Sequence, residues 1–86
     1  MSTSAANDSH QPVTARAVQV SDEDLRVSLS DGRELLVPLN WFPRLVNATP
    51  EQRSNWRFTG GGIGIHWEDL DEDLSVAGLL KGNRPR

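Results

Sequence analysis

The chain has 86 residues, a formal net charge of −3 and no cysteine. This length fits a single small domain, the missing cysteine excludes disulfides and thiolate metal sites, and the acidic balance argues against a general nucleic-acid-binding protein. No apolar run approaches the roughly 20 residues of a membrane span and no signal-peptide pattern is present, so we expect a cytoplasmic protein without membrane contact.

The two ends of the chain differ in composition from its middle. Residues 1–13 are mostly Ser, Thr, Ala, Asn, Asp, His, Gln and Pro, and residues 83–86 are equally poor in apolar atoms. Such segments bury too little surface to offset the entropy lost on ordering. The sequence therefore predicts a disordered N-terminal tail over 1–13, a single α+β domain over 14–82 and a flexible C-terminus over 83–86.

Alternating apolar residues indicate three half-buried strands, at 14–20, 24–30 and 33–37. In the first of them, Arg16, Val18 and Val20 are expected to share one face. Asp31 and Gly32 separate the second and third segments, and this dipeptide predicts a tight hairpin turn in which both residues have positive φ. Together the three segments predict an antiparallel meander.

Helix-capping residues mark short helices after the meander. Asn40 is predicted to cap the first of them, because a side-chain oxygen at this position accepts a hydrogen bond from the first turn. Thr49 and Gln52 have the spacing of a capping box, which predicts a second turn of helix. Ser75 and Gly82 are predicted to bound the final helix as its N-cap and C′ residues.

Two further strand segments, 56–59 and 63–67, flank a run of glycines and predict a hairpin. The element order is then β-β-β-α-β-β-α. This order predicts an α+β fold in which a meander and a hairpin form a small antiparallel sheet, with two or three short helices. The run at 60–64 lacks the Lys and the Ser or Thr of a phosphate-binding loop. The glycine run is therefore predicted to form the turn of the hairpin, and another segment of backbone is predicted to lie close to Gly64.

Three alternating aspartates suggest a cation-binding loop at first sight. Asp69, Asp71 and Asp73 match the first ligand positions of an EF-hand, but Leu74 and Leu80 stand where that loop requires Gly and Glu. The sequence therefore predicts neither a specific metal site nor a cofactor.

His66 and Glu68 form a His-x-Glu pair whose side chains point to one face if the segment is a strand. Zinc deaminases with this pattern also require a cysteine pair for the metal. No nucleophile or oxyanion donor accompanies the pair. We interpret His66 as a structural residue that interacts with a neighbouring carboxylate, and an enzyme using His66 with Glu68 or Asp69 is the least favoured alternative.

Five of the twelve acidic residues lie within six positions, 68–73. Such a run is typical of a solvated face, but it also fits an edge that receives a basic partner. Trp67 directly precedes the run and is a candidate for the exposed aromatic anchor of that edge. Strand alternation would instead place Trp67 with Ile63 and Ile65 on the core face, so both positions for Trp67 remain open.

Three stretches of the chain are together similar to a known family: SDGRELLVPLNWFPRL at 30–45, ATPEQRSNWR at 48–57 and GIHWEDLDEDLSVAGLL at 64–80. Through them the chain resembles the bacterial domain-of-unknown-function family 2442. The resemblance implies a small α+β protein with an antiparallel sheet and without catalytic residues. Some members are encoded beside a small protein of unknown-function family 4160, an arrangement read as a toxin–antitoxin pair with this family as the antitoxin. The family positions present here are Asp31, Gly32, Pro38, Trp41, Pro43, Gly64, His66, Trp67, Asp71 and Leu80.

We therefore predict a non-enzymatic domain that binds a partner, which would be a small basic protein such as a toxin encoded nearby. A module that binds a small ligand or RNA is the alternative, although direct binding of nucleic acid is not expected from the charge. The sequence does not indicate the oligomeric state. The predicted partner-binding residues are His66, Trp67, Glu68, Asp69, Asp71, Glu72 and Asp73.

Overall fold

Residues 12–82 are described by a computed structural model of the chain, in which six strands form two three-stranded antiparallel sheets. The predicted tail up to residue 11 and the predicted flexible C-terminus at 83–86 lie outside these residues. Val13, which the prediction assigned to the tail, is partly buried against the core. No helix among the described residues is long and apolar enough to cross a membrane.

The first sheet has the order β1-β2-β3 and consists of β1 (Ala15–Val20), β2 (Asp24–Leu29) and β3 (Glu34–Pro38). Its central strand alternates as predicted, with Leu25, Val27 and Leu29 buried. These three side chains form the face that packs into the core.

A β-bulge interrupts the alternation in β1. The register of β1 on β2 shifts between Ala15 and Ala17, and the buried residues are Ala15 and Val18 while Arg16 is exposed. The expectation that Arg16 shares a face with Val18 and Val20 is therefore wrong. An inserted residue moves the side chains before it to the opposite face.

The turn between β2 and β3 is a three-residue loop. Gly32 N–H donates to the Leu29 carbonyl and Leu29 N–H donates to the Arg33 carbonyl, and Gly32 has a φ of 95° whereas Asp31 is not among the residues with positive φ. The predicted turn with two positive φ values is wrong. A three-residue loop needs a left-handed residue only at its last position, and glycine supplies it.

The helical segments are short: a 3₁₀ turn at Leu39–Trp41, α1 (Pro43–Val46), α2 (Pro50–Ser54) and α3 (Val76–Lys81). Asn40 lies inside the 3₁₀ turn, and α1 begins after Phe42 without a side-chain cap, so the prediction of an Asn40 cap is wrong. Residues three apart are eclipsed in a 3₁₀ turn. This geometry buries both Leu39 and Phe42 before α1 begins.

The caps of α2 and α3 are confirmed. Thr49 Oγ1 accepts from Gln52 N–H at 3.1 Å, and Gln52 Oε1 accepts from Thr49 N–H at 3.0 Å, which completes the capping box. Ser75 Oγ accepts from Gly78 N–H at 2.9 Å, and Gly82 ends α3 in the left-handed conformation with a φ of 75°.

The second sheet has the order β4-β5-β6 and consists of β4 (Trp56–Thr59), β5 (Gly64–Trp67) and β6 (Glu72–Ser75). The α+β class and the order β-β-β-α-β-β-α are confirmed, with β6 as an additional strand before the last helix. Acidic residues disfavour strands, so the composition of this segment did not indicate one. Leu74 of β6 lies opposite Ile65 and is buried.

The core takes side chains from both sheets, and its fully buried members include Leu25, Val27, Ile65 and Trp67. A backbone hydrogen bond of 2.7 Å from Ala15 N–H to the Gly62 carbonyl joins β1 to the β4–β5 turn. A Cβ atom at Gly62 would come within 2.8 Å of the Ala15 carbonyl oxygen. Glycine at this position therefore permits the two sheets to meet.

Arg53 is the one buried charged residue among those described, and it connects several elements. Its Nε–H and Nη2–H donate to the Leu45 and Val46 carbonyls at 2.9 and 3.0 Å, and its Nη1–H donates to Asp22 Oδ1 at 2.7 Å. The Arg53 carbonyl accepts from Trp67 Nε1–H at 2.9 Å. Arg53 thus joins α1, α2, the β1–β2 turn and the second sheet.

Candidate functional site

A row of charged and titratable side chains crosses the second sheet. Arg57, His66 and Asp73 lie opposite one another on β4, β5 and β6. Ile65 and Trp67, which flank His66 in β5, are buried. Successive side chains of a strand point to opposite faces. The row therefore lies on the face turned away from the core, which we call the outer face.

His66 is flanked by two carboxylates. Its Nε2 lies 3.4 Å from Glu68 Oε1 and its Nδ1 lies 3.7 Å from Asp73 Oδ1, while Arg57 Nη2 lies 3.5 Å from the same Glu68 oxygen. The His66 side chain is only 19% exposed, against 70% for Glu68 and 73% for Asp73. The two carboxylates are therefore open to solvent, and the imidazole lies behind them.

The turn between β5 and β6 is held in place from three sides. Asn55 Nδ2–H donates to Asp69 Oδ2 at 3.1 Å, Arg44 Nη1–H donates to the Asp71 carbonyl at 2.6 Å, and Leu70 packs partly buried against the core. Asp71 has a φ of 51°, the one positive φ of a residue other than glycine in the described chain. Asp is one of the few residues other than glycine that adopt this conformation as single residues in turns, and the neighbouring elements hold it there.

Glu72 differs from the other acidic residues of the run. It lies opposite Trp67 in the β5–β6 ladder and is half-buried. Burial raises the pKa of the Glu72 carboxyl, the positive charge of Arg44 opposes this shift, and the negative charges of Asp73 and Asp71 add to it. The acidic run therefore does not form one uniform face, because strand alternation separates Glu72 from Asp73.

Trp67 is not a surface anchor. Its side chain is 0% exposed and its indole N–H donates to the Arg53 carbonyl, so the interpretation of Trp67 as an exposed partner-binding residue is wrong. The strand continues regularly to Trp67, which places it on the core face with Ile65. Ile63, which alternation predicts on that same face, precedes β5 and is 48% exposed.

A shallow depression of about 350 Å³ lies at one end of the outer face. Asp73, Ser75, Thr59 and Ile63 contribute to its walls. A Cβ at Gly64 would come within 2.5 Å of Thr59 Oγ1, which agrees with the predicted close approach at this glycine. No group of three or more His, Asp or Glu side chains in residues 12–82 is arranged to hold a metal ion.

We call the group formed by the exposed residues Glu68, Asp69, Asp71 and Asp73 the acidic surface. Five of the seven predicted partner-binding residues lie in or directly beside it, whereas Trp67 lies in the core and Glu72 is half-buried. Arg57 and Arg44, which contact this region, were not predicted. Only the cross-strand register and the tertiary fold bring them there.

Comparison with known proteins agrees with this architecture. The family model described as "Protein of unknown function (DUF2442)" matches residues 15–85. The chain belongs to the DUF2442 family. No curated protein matches the chain.

Two solved structures share the DUF2442 fold of this chain. A protein of unknown function from Rhodospirillum rubrum ATCC 11170 is 29% identical, with a TM-score of 0.74 over 88% of this chain and 94% of its own. An uncharacterised protein from Chromobacterium violaceum, solved by NMR in solution, is 30% identical, with a TM-score of 0.72 over 94% of this chain and 75% of its own.

Proposed function

We propose that this chain is a non-enzymatic domain that docks a small protein with a basic surface, and that the acidic surface is the docking site. The observation that supports this most directly is the geometry around His66. The carboxylates of Glu68 and Asp73 are largely exposed, while the groups behind them are held by the sheet. A preorganised patch of one charge favours association with a complementary patch.

The conformation of Asp71 also supports the proposal. Asp is one of the few residues other than glycine that adopt the left-handed conformation in turns, and this conformation sets the direction of the chain through the acidic surface. Arg44 holds the Asp71 carbonyl while the side chain stays exposed. The turn is thereby held in one arrangement, in which it can present carboxylates to a partner.

The partner that fits this surface is the basic protein of a toxin–antitoxin pair, with this chain as the antitoxin-like component. A catalytic role for His66 has less support, because enzymes stabilise transition states in water-excluded sites. The depression near His66 and a second one of about 210 Å³ beside Leu36 are both open hollows. An open charged surface suits the docking of a protein better than it suits covalent chemistry.

The test compares two double variants of equal charge change. Asp71→Asn with Asp73→Asn removes two of the four negative charges of the acidic surface, and Asn tolerates the left-handed conformation of position 71. Glu23→Gln with Glu34→Gln neutralises two exposed carboxylates of the first sheet region and serves as the control. Each chain is used to capture proteins from its host bacterium, and the association rate of the captured protein is measured at low and high salt.

We expect the first double variant to lower the association rate and to flatten its dependence on salt, while dissociation changes less. The control should retain most of the wild-type rate. If both double variants behave alike, the acidic surface is only a solvated face and the proposal fails.

The depression at Gly64 supports a second candidate, a module for a small ligand. Polar and apolar residues line one hollow, among them Thr59, Asp73, Ser75 and the exposed Ile63, and such mixed linings are found in ligand sites. NMR titration with nucleotides and with short RNA tests this candidate. Shifts confined to the His66 and Gly64 signals would favour a ligand over a protein partner.

A further inference from the structure

The tip of the β2–β3 hairpin contains a reactive dipeptide. Asp31-Gly32 is the one Asp-Gly pair in the sequence, and no Asn-Gly pair is present. At such pairs the glycine backbone nitrogen can attack the aspartate Cγ, because glycine has no side chain to hinder the approach. The C–N bond forms, the carboxyl hydroxyl and the amide hydrogen leave as water, and a succinimide ring results. One water then opens the ring at either carbonyl, which gives aspartate or isoaspartate.

The folded hairpin holds both reacting groups. Arg33 N–H donates to Asp31 Oδ1 at 3.1 Å and Arg33 Nε–H donates to Asp31 Oδ2 at 2.7 Å. The attacking nitrogen belongs to Gly32, whose N–H donates to the Leu29 carbonyl at 3.1 Å. The carboxylate is therefore fixed at both oxygens, and the nucleophile is directed away from Cγ by its own hydrogen bond.

The protonation state of Asp31 acts in the same direction. Hydroxyl can leave as water only when the carboxyl is protonated at the moment of attack, because an oxide dianion is not a viable leaving group. The backbone N–H of Arg33 is the largest cause that lowers the pKa of the Asp31 carboxyl, and the Arg33 guanidinium adds to it. The ionised, unreactive form is thus favoured in the fold.

We infer that Asp31 is a site of spontaneous isoaspartate formation and that the Arg33 side chain protects it in the folded hairpin. The modification takes no enzyme and no cofactor. Isoaspartate adds a methylene to the main chain, which the three-residue loop cannot accommodate without losing the hydrogen bond between Gly32 and Leu29. The hairpin would then lose its register with age, and Arg33 delays that loss.

The experiment compares wild type with Arg33→Ala and Arg33→Lys during prolonged incubation at neutral pH, well below the melting temperature of each. Isoaspartate at position 31 is measured by mass spectrometry of the peptide released by proteolysis. We expect Arg33→Ala to accumulate isoaspartate about 1.5- to fivefold faster, the range for the loss of one exposed ion pair. Arg33→Lys should lie between the two.

The same chains incubated in denaturing urea provide the control, because the protection requires the folded turn. There we expect equal rates for all three chains, each faster than folded wild type. If folded Arg33→Ala modifies no faster than wild type, the Arg33 side chain does not protect Asp31. If isoaspartate forms at the same rate in folded and in denatured wild type, the folded hairpin does not protect Asp31. Either result overturns the inference.

Discussion

Gly32 occupies the left-handed position of the β2–β3 loop, with a φ of 95°, and apart from its chain neighbours no residue comes within 4 Å of the point where a Cβ would lie. Substitution therefore costs conformational energy and not space. We expect Gly32→Val to lower the free energy of unfolding by more than about 1 kcal/mol, measured by thermal melting. Gly32→Asn is the matched control and should cost less, because Asn tolerates positive φ. Equal losses in both variants would mean that φ is not the cause.

The Trp67 side chain is fully buried, so its removal should affect stability. We expect Trp67→Ala to destabilise the domain by roughly 3–5 kcal/mol, the range for deleting a large buried side chain, which is enough to unfold a domain of this size. Trp67→Phe keeps an aromatic ring and loses the hydrogen bond to the Arg53 carbonyl, so it should cost less. Circular dichroism of the two variants and of Trp56→Ala, a partly buried control, tests this order.

Glu72 makes stability depend on pH. Burial raises its pKa in the folded chain above the ordinary value of 4.5. Below that value the carboxyl is neutral in both the folded and unfolded states, and above it the folded chain must carry a partly desolvated charge, so stability is lost as the pH rises through the folded pKa.

We therefore expect Glu72→Gln to gain stability relative to wild type between pH 4 and pH 7, by less than about 1 kcal/mol because the side chain remains partly solvated. Urea unfolding at several pH values measures the difference. A constant difference across this range would contradict the raised pKa.

Arg53 connects several elements, because its guanidinium donates hydrogen bonds to two carbonyls at the end of α1 and to the Asp22 carboxylate. Arg53→Met should destabilise the domain by roughly 2–4 kcal/mol, since buried acceptors lose their donors. Arg53→Lys should restore little of it, because an ammonium group cannot serve three acceptors in fixed directions. Arg26→Met, at an exposed position, is the control in urea unfolding. A Lys variant as stable as wild type would show that charge alone suffices.

Elements defined by local interactions were predictable. The Thr49 and Gln52 capping box, the Ser75 cap and the Gly82 terminus involve residues within three or four positions, so their spacing alone indicates them. Asn40 has the same capping preference, but burial of Leu39 and Phe42 selects a 3₁₀ turn there. Local preference decides an element only where the core does not require another geometry.

At the scale of the whole molecule, residues 1–11 offer almost no apolar surface. We expect a chain that begins at residue 12 to keep its melting temperature, because a segment with so few apolar side chains can add little burial. A chain that begins at residue 16 is the comparison and should be less stable, since it loses Ala15 and its bond to Gly62. A large loss on removal of residues 1–11 alone would show that they contribute to the core.

The sequence by itself determined the α+β class, the strand segments of the meander and the caps of the later helices, because each of these depends on a short period or on a few neighbouring residues. Tertiary structure decided what depends on pairing between distant segments. The acidic segment of β6 forms a strand because it pairs with β5. Arg16 is exposed because of the bulge in β1. Trp67 is buried because its side chain packs in the core. The acidic surface was visible as a charge run, but its division into exposed carboxylates and a half-buried Glu72 follows only from the cross-strand register, which sequence spacing does not contain.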